Sequence, residues 1–218
     1  MIFLNLKAYR EGFGKRALEL AKIAESVSER SGTYIAVAVN LLDLPIVVKE
    51  VSIDVLAQHI DAVEFGAFTG AVNAEMIKEY GAKGSLLNHS EKRMKLADID
   101  FCVSKLRELK MVSIVCTNNV PTTKAVSALK PTFVAIEPPE LIGSGIAVSK
   151  AEPEVVEGAV RAVKEICKEV RVLCGAGITR HEDYARALEL GADGVLLASG
   201  VVKAKDQKKA LEELVGLR

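Results

Sequence analysis

VRVLCGAGITRHEDYARALELGADGVLLASG, residues 170–200, carries the pattern that decides the fold. VRVLC (170–174) is almost continuously apolar, as a strand covered on both faces should be. CGAG (174–177) is a turn of small residues. DYARALEL (183–190) has helical spacing of its apolar positions. GVLLA (194–198) is a second apolar strand, and it too ends in small residues, Ala198-Ser199-Gly200.

The same alternation extends over nearly the whole chain. Further strands are predicted at IFLNL (2–6), TYIAVAV (33–39), DVLAQ (54–58), GSLLN (84–88), MVSIVC (111–116) and TFVAIE (132–137). GKRALELAKIAESVSER (14–30), SKAEPEVVEGAVRAVKEICKE (149–169) and DQKKALEELVGL (206–217) read as helices. In the second of these, Pro153 stands near the first turn. Eight strands, each followed by a helical segment, make a compact (β/α)8 barrel the first expectation. A doubly wound open sheet is the runner-up. LPIVVKEVSI (44–53) is brief, so some outer helices should be reduced to a turn or two. The linkers are short, and residues 1–218 read as one domain.

Composition narrows the function. Lys plus Arg and Asp plus Glu number 29 each, so the formal net charge is zero. That gives no support to a nucleic-acid or polybasic membrane surface. A phosphorylated metabolite stays open, because backbone N–H groups that bind phosphate never enter a charge count. Cys102, Cys116, Cys167 and Cys174 form no C-x-x-C pair, which suits thiols in a reducing compartment and speaks against metal binding. Met1 leads into IFLNLKAYR with no long apolar stretch, so the expected location is the cytoplasm.

Active sites of such barrels lie at the carboxyl ends of the strands. Asn5 and Lys7 close the first strand and share one side of it by parity. A lysine beside a buried strand is costly unless it meets an anion or reaches water. His89 ends the fourth strand in NHSE (88–91), where Ser90 and Glu91 have the character of helix N-terminal residues. A helix N-terminus facing an imidazole would hold it neutral. His59 ends the third strand near the mouth, whereas His181 should lie at the surface. Ser199 and the glycines of the last two loops sit where barrels often bind phosphate. IEPPELIGSG (136–145) puts Glu137 at the end of the sixth strand, before a stiff diproline and a glycine-hinged segment. A carboxylate base under a closing lid needs that combination, although a surface Glu before a turn has the same letters.

These residues carry a resemblance. NLK (5–7), AQHID (57–61), GAFTG (66–70), LLNHSEKR (86–93), EPPELIGSG (137–145), CGAGIT (174–179) and LLASGVVKAKD (196–206) are collinear, and the chain resembles the short archaeal-type triosephosphate isomerase family throughout. The resemblance implies a homo-oligomeric enzyme of glycolysis and gluconeogenesis that interconverts dihydroxyacetone phosphate and D-glyceraldehyde 3-phosphate through an enediolate. In the roles known for that family, Glu137 would move the carbon-bound proton and a neutral His89 would polarise the carbonyl. Lys7 would supply positive charge, Asn5 would hold substrate and Lys7, and Glu91 would stand by Lys7. Phosphate would lie against N–H groups of Gly143, Gly177, Ala198 and Ser199, with Ile142 at the lid. No metal or organic cofactor is implied.

The chain departs from the family's long form in places. Glu140 stands where that form has tryptophan, and Gly177 where it has serine, a hydroxyl that Ser199 could replace. The outer helices should be shorter, mostly around the fourth and fifth strands. GAFTG would reach into a neighbouring subunit, with Thr69 bracing Asn5 and Lys7, so a homodimer or homotetramer is expected. An exposed Phe68 at a loop tip agrees with that. The competing readings are another phosphate-binding barrel isomerase or synthase, and a phosphosugar-binding barrel without turnover.

Overall fold

The computed structural model describes residues 1–138 and 147–217. Its strands are β1 (Ile2–Asn5), β2 (Ile35–Val39), β3 (Val55–Ala57), β4 (Gly84–Leu87), β5 (Val112–Thr117), β6 (Phe133–Ile136), β7 (Arg171–Gly175) and β8 (Gly194–Leu197). They pair in parallel in sequence order, and β8 pairs with β1, so the sheet closes on itself. The (β/α)8 barrel is thus the fold. Closure excludes the doubly wound open sheet, which needs two free edges.

The helices are α1 (Lys15–Ser31), α2 (Leu44–Glu50), α3 (Ala74–Glu79), α4 (Leu96–Glu108), α5 (Val120–Ser127), α6 (Val148–Ala151), α7 (Pro153–Ile166), α8 (His181–Glu189), α9 (Ser199–Val202) and α10 (Gln207–Leu214). The shortening falls on α2, α3 and α5, of 7, 6 and 8 residues, while α4 keeps 13. The single helix read over 149–169 is two. Pro153 starts α7 at its first position, and a proline disfavours helical backbone in the residue before it.

Strand parity sorts the core into two layers. Phe3, Ala36, Ala38, Leu56, Leu86, Ile114, Cys116, Phe133, Ala135, Leu173 and Leu196 fill the barrel. Their strand neighbours, such as Ile2, Leu4, Val37, Leu87, Val115, Ile136 and Cys174, pack outward against the helices. Phe3 and Phe133 meet edge-on at 5.1 Å near the amino-terminal end. Burying each ring contributes about 1.5–3 kcal/mol. The same parity aims Asn5 and Glu137 inward, two residues beyond Phe3 and Ala135 respectively. Cys102, Cys116 and Cys174 are buried and Cys167 is half-buried, all as free thiols. His181 opens α8 and is exposed, as expected.

Candidate active site

The polar residues of the site stand at the ends of several strands, two of them, Asn5 and Lys7, at β1. Asn5 ends β1, and its Oδ1 accepts the Lys7 backbone N–H at 2.9 Å. That bond holds Lys7 at φ 51, a left-handed conformation uncommon outside glycine. Asn88 (φ 56) and Ala176 (φ 69) have the same backbone just past β4 and β7. Three such non-glycine residues around one mouth mark where strain is held by surrounding structure. At Lys7 the holding partner is Gln58, whose Nε2 lies 3.2 Å from Asn5 Oδ1, 3.0 Å from the Lys7 carbonyl and 3.2 Å from the Ala38 carbonyl. The Lys7 side chain is 8% exposed, and its ammonium meets Glu91 Oε1 at 2.8 Å. An unpaired buried ammonium would be costly, and the exposed carboxylate offsets that cost.

The histidine differs from expectation in one respect. Ser90 and Glu91 form a reverse turn, closed by Lys92 N–H to the His89 carbonyl at 2.8 Å, and α4 begins only at Leu96. The helix start expected directly after His89 is thus displaced to Leu96. Asn88 redirects the chain instead: its Nδ2 donates to the Cys116 carbonyl at 2.9 Å and its Oδ1 accepts Met94 N–H at 2.9 Å. The turn delivers the Glu91 backbone N–H to His89 Nδ1 at 3.2 Å. The Glu91 carboxylate also lies 3.5 Å from that nitrogen. The backbone hydrogen occupies the Nδ1 lone pair, so the hydrogen-bond network assigns the neutral tautomer with its proton on Nε2.

Glu137 follows β6, anchored by its N–H to the Thr117 carbonyl at 2.8 Å. Its carboxylate and the His89 imidazole face each other, Oε2 to Nε2 at 3.6 Å. This exceeds hydrogen-bond length. Both atoms are buried and without a hydrogen-bond partner among the described residues. Gly175 lies beside them on β7. A Cβ there would stand 2.3 Å from Glu137 Cγ, so the carboxylate occupies the space that a side chain would take. Two of the thiols feel this carboxylate. Burial first, and then the negative charge of Glu137, push Cys174 up to about 12 and Cys116 well above the ordinary thiol value. Both are therefore protonated bystanders.

Two adjoining cavities share Asn5 and Lys7. One is lined by Glu137, Gly177, Ala198 and Ser199 among others, the second by Gln58, His59, His89 and Glu91 among others. The structure thereby gathers Asn5, Lys7, His89, Glu137, Gly177, Ala198 and Ser199 into one cleft. Ile142, Gly143 and Glu140 lie outside the described residues. At the Gly177 end, the loops after β7 and β8 touch directly: a Cβ on Gly200 would be 2.9 Å from the Ile178 carbonyl oxygen. Asp183, the buried third residue of α8, stiffens the first loop by accepting N–H groups of Thr179 and Arg180 at 3.0 Å each. The first residues of a helix lack intrahelical acceptors, so Ser199 and Gly200 present their N–H groups at this end. His59 stands aside, 3.3 Å from Asp61, with its pKa lowered chiefly by burial. Among the described residues, no three His, Cys, Asp or Glu side chains are placed to hold a metal ion. Nor is any helix there long and apolar enough to cross a membrane.

Gln58, Gly175 and the turn at Ser90–Glu91 escaped the reading of single residues. Their partners come from distant strands. The available signal was Gln58 inside AQHID and a glycine at an inward-facing strand end.

Convergent polar groups at the carboxyl ends of eight closed parallel strands define an enzyme of the TIM-barrel class. The family model for triosephosphate isomerase matches residues 1–215. A triosephosphate isomerase of Archaeoglobus fulgidus is 72% identical over 217 residues, covering 100% of this chain and 97% of the relative. Those of Methanothermus fervidus and Methanocaldococcus jannaschii are 62% and 60% identical over 215 residues, covering 99% of this chain and 97% and 98% of the relatives. The chain belongs to the triosephosphate isomerase family.

Proposed function

We propose that the protein is an aldose–ketose isomerase that interconverts dihydroxyacetone phosphate and D-glyceraldehyde 3-phosphate in the cytoplasm, with residues 1–218 as one catalytic domain. The observation that carries this reading is the pair of buried, unpartnered atoms, His89 Nε2 and Glu137 Oε2, 3.6 Å apart. Leaving a buried polar atom unpaired costs about 1–3 kcal/mol. A substrate that gives both atoms a partner recovers that cost on binding. Glu137 takes the proton from the carbon beside the carbonyl and returns it to the neighbouring carbon. His89, neutral, gives its Nε2 proton as a hydrogen bond to the oxygen on which negative charge grows. Because its other nitrogen is occupied by the Glu91 N–H, the ring can pass that proton between the two enediolate oxygens. Lys7 supplies fixed positive charge in a site of low exposure, where it stabilises developing negative charge more than it would in water. Asn5 holds both Lys7 and the substrate hydroxyl.

The phosphate lies at the other end of the cleft, against N–H groups of Gly177, Ala198 and Ser199. Self-association through Gly66–Gly70 is part of this proposal, as a homodimer or homotetramer. Phe65 and Phe68, beside and within that loop, are 62% and 52% exposed, which supports the interface reading.

Glu137→Gln keeps the shape and removes the base. It should lower kcat by about 10²–10⁴-fold while inorganic phosphate still inhibits at the wild-type concentration. Near-full activity in that variant would remove Glu137 from the role of base.

A further inference from the structure

Lys7 is the single cationic side chain, among the described residues, that lines the proposed phosphate end of the cleft. Glu137 lines it, and Lys7 is already paired with Glu91. A second cation lies one helical turn beyond Ser199. Lys203 is exposed, and its N–H bonds to the Ser199 carbonyl at 3.1 Å. Its ammonium stands 5.4 Å from the centroid of the Tyr9 ring, inside the range of cation–π attraction. Tyr9 itself lines the same cavity as Lys7, Gly177 and Ser199. No carboxylate among the described residues comes within ion-pair distance of Lys203, whereas Lys209 in the next helix is paired with Glu213. The wall is built: Gln207 Nε2 bonds to the Val202 carbonyl at 2.6 Å and to the Glu11 carbonyl at 3.3 Å, tying α9 to the loop that carries Tyr9.

We propose that Lys203, held on the face of Tyr9, is a positioning residue for the phosphate group of the substrate. This rests on the isomerase reading above and adds Lys203, a residue of LLASGVVKAKD (196–206) that has no role in that reading. An aromatic face keeps the ammonium near the cleft without neutralising it, as a carboxylate would. The charge then acts through solvent on the incoming dianion. For a separation on the order of 10 Å, one unit charge changes the equilibrium of a dianion about fourfold without screening. Screening at physiological ionic strength cuts that to about 1.5-fold.

The test compares Lys203→Met, Lys203→Arg and wild type at ionic strengths from about 10 to about 200 mM, a span across which the screening length falls several-fold. Turnover gives kcat and kcat/KM, and inorganic phosphate titrated by phosphorus NMR gives a dissociation constant without turnover. The Met variant should keep its kcat, lose about threefold in kcat/KM and in phosphate affinity at low salt, and converge on wild type at high salt. The Arg variant should track wild type. A Met variant that matches wild type at low salt overturns the proposal. So do equal losses in Met and Arg at every salt concentration, which would reveal a packing role. If wild type shows no turnover, the isomerase reading has failed by itself. The phosphate titration then decides alone, and equal affinity in Met and wild type overturns the role of Lys203.

Discussion

Gly175→Ala tests how tightly the barrel positions the carboxylate. The backbone of Gly175 is not among those with positive φ, so alanine can adopt it without strain. The perturbation is therefore steric. The new methyl would lie 2.3 Å from Glu137 Cγ, 2.9 Å from Oε1 and 3.0 Å from Cδ, where ordinary contact begins at 3.4 Å. Both residues extend from neighbouring strands that pair as Ile136 with Cys174. The strands are fixed by the ladder, so the side chain must yield, by about 1 Å at Cγ. A misplacement of about 1 Å costs on the order of 10²-fold in rate, or about 2.7 kcal/mol in activation free energy. Overpacking should add a stability loss of about 1–3 kcal/mol. The assay is steady-state turnover of both triose phosphates by coupled enzymes, with phosphate inhibition and urea unfolding measured alongside. Phosphate inhibition should stay near wild type, because Gly177 and Ser199 are untouched. A folded Gly175→Ala protein with kcat within about threefold of wild type, against the 10² expected, would refute the reasoning. The carboxylate would then be free to act from another position.

Two further outcomes follow. Thr69→Arg places a charge in the exposed Gly66–Gly70 loop and should reduce the sedimentation coefficient and weaken activity; an unchanged size removes the interface from that loop. Alkylation at pH 8.5, roughly the ordinary thiol pKa, should label native protein at Cys167 alone. Burial holds Cys102 and Cys174 up to about 12 and Cys116 well above the usual value, so their thiolates are scarce, and unfolding should expose all four. Labelling of native Cys116 by intact mass would contradict that packing.

Much of this molecule is legible before it folds. Strands buried on both faces must be apolar throughout, so VRVLC and GVLLA announce β7 and β8 directly. Strand-end residues such as Asn5, Lys7 and Glu137 follow from parity and position. The site's remaining parts depend on pairs far apart in the chain. Nothing local to Gly175 reveals that Glu137, 38 positions earlier, needs its empty side-chain space. Gln58 secures Lys7 from 51 positions away. The helix start expected beside His89 is a turn for a reason that is not local. Ser90 and Glu91 have the composition of a helix start, but Asn88 spends its side chain on Cys116 and Met94 and turns the chain first.

The central claim is that His89 and Glu137, 3.6 Å apart, act together on a triose phosphate. The most direct measurement is turnover of D-glyceraldehyde 3-phosphate by purified protein in a chelator-treated buffer, followed through a coupled dehydrogenase. The expected result is interconversion in both directions without added metal, lowered about 10²–10⁴-fold by Glu137→Gln and blocked by inorganic phosphate. Folded protein that consumes neither triose phosphate would contradict the account.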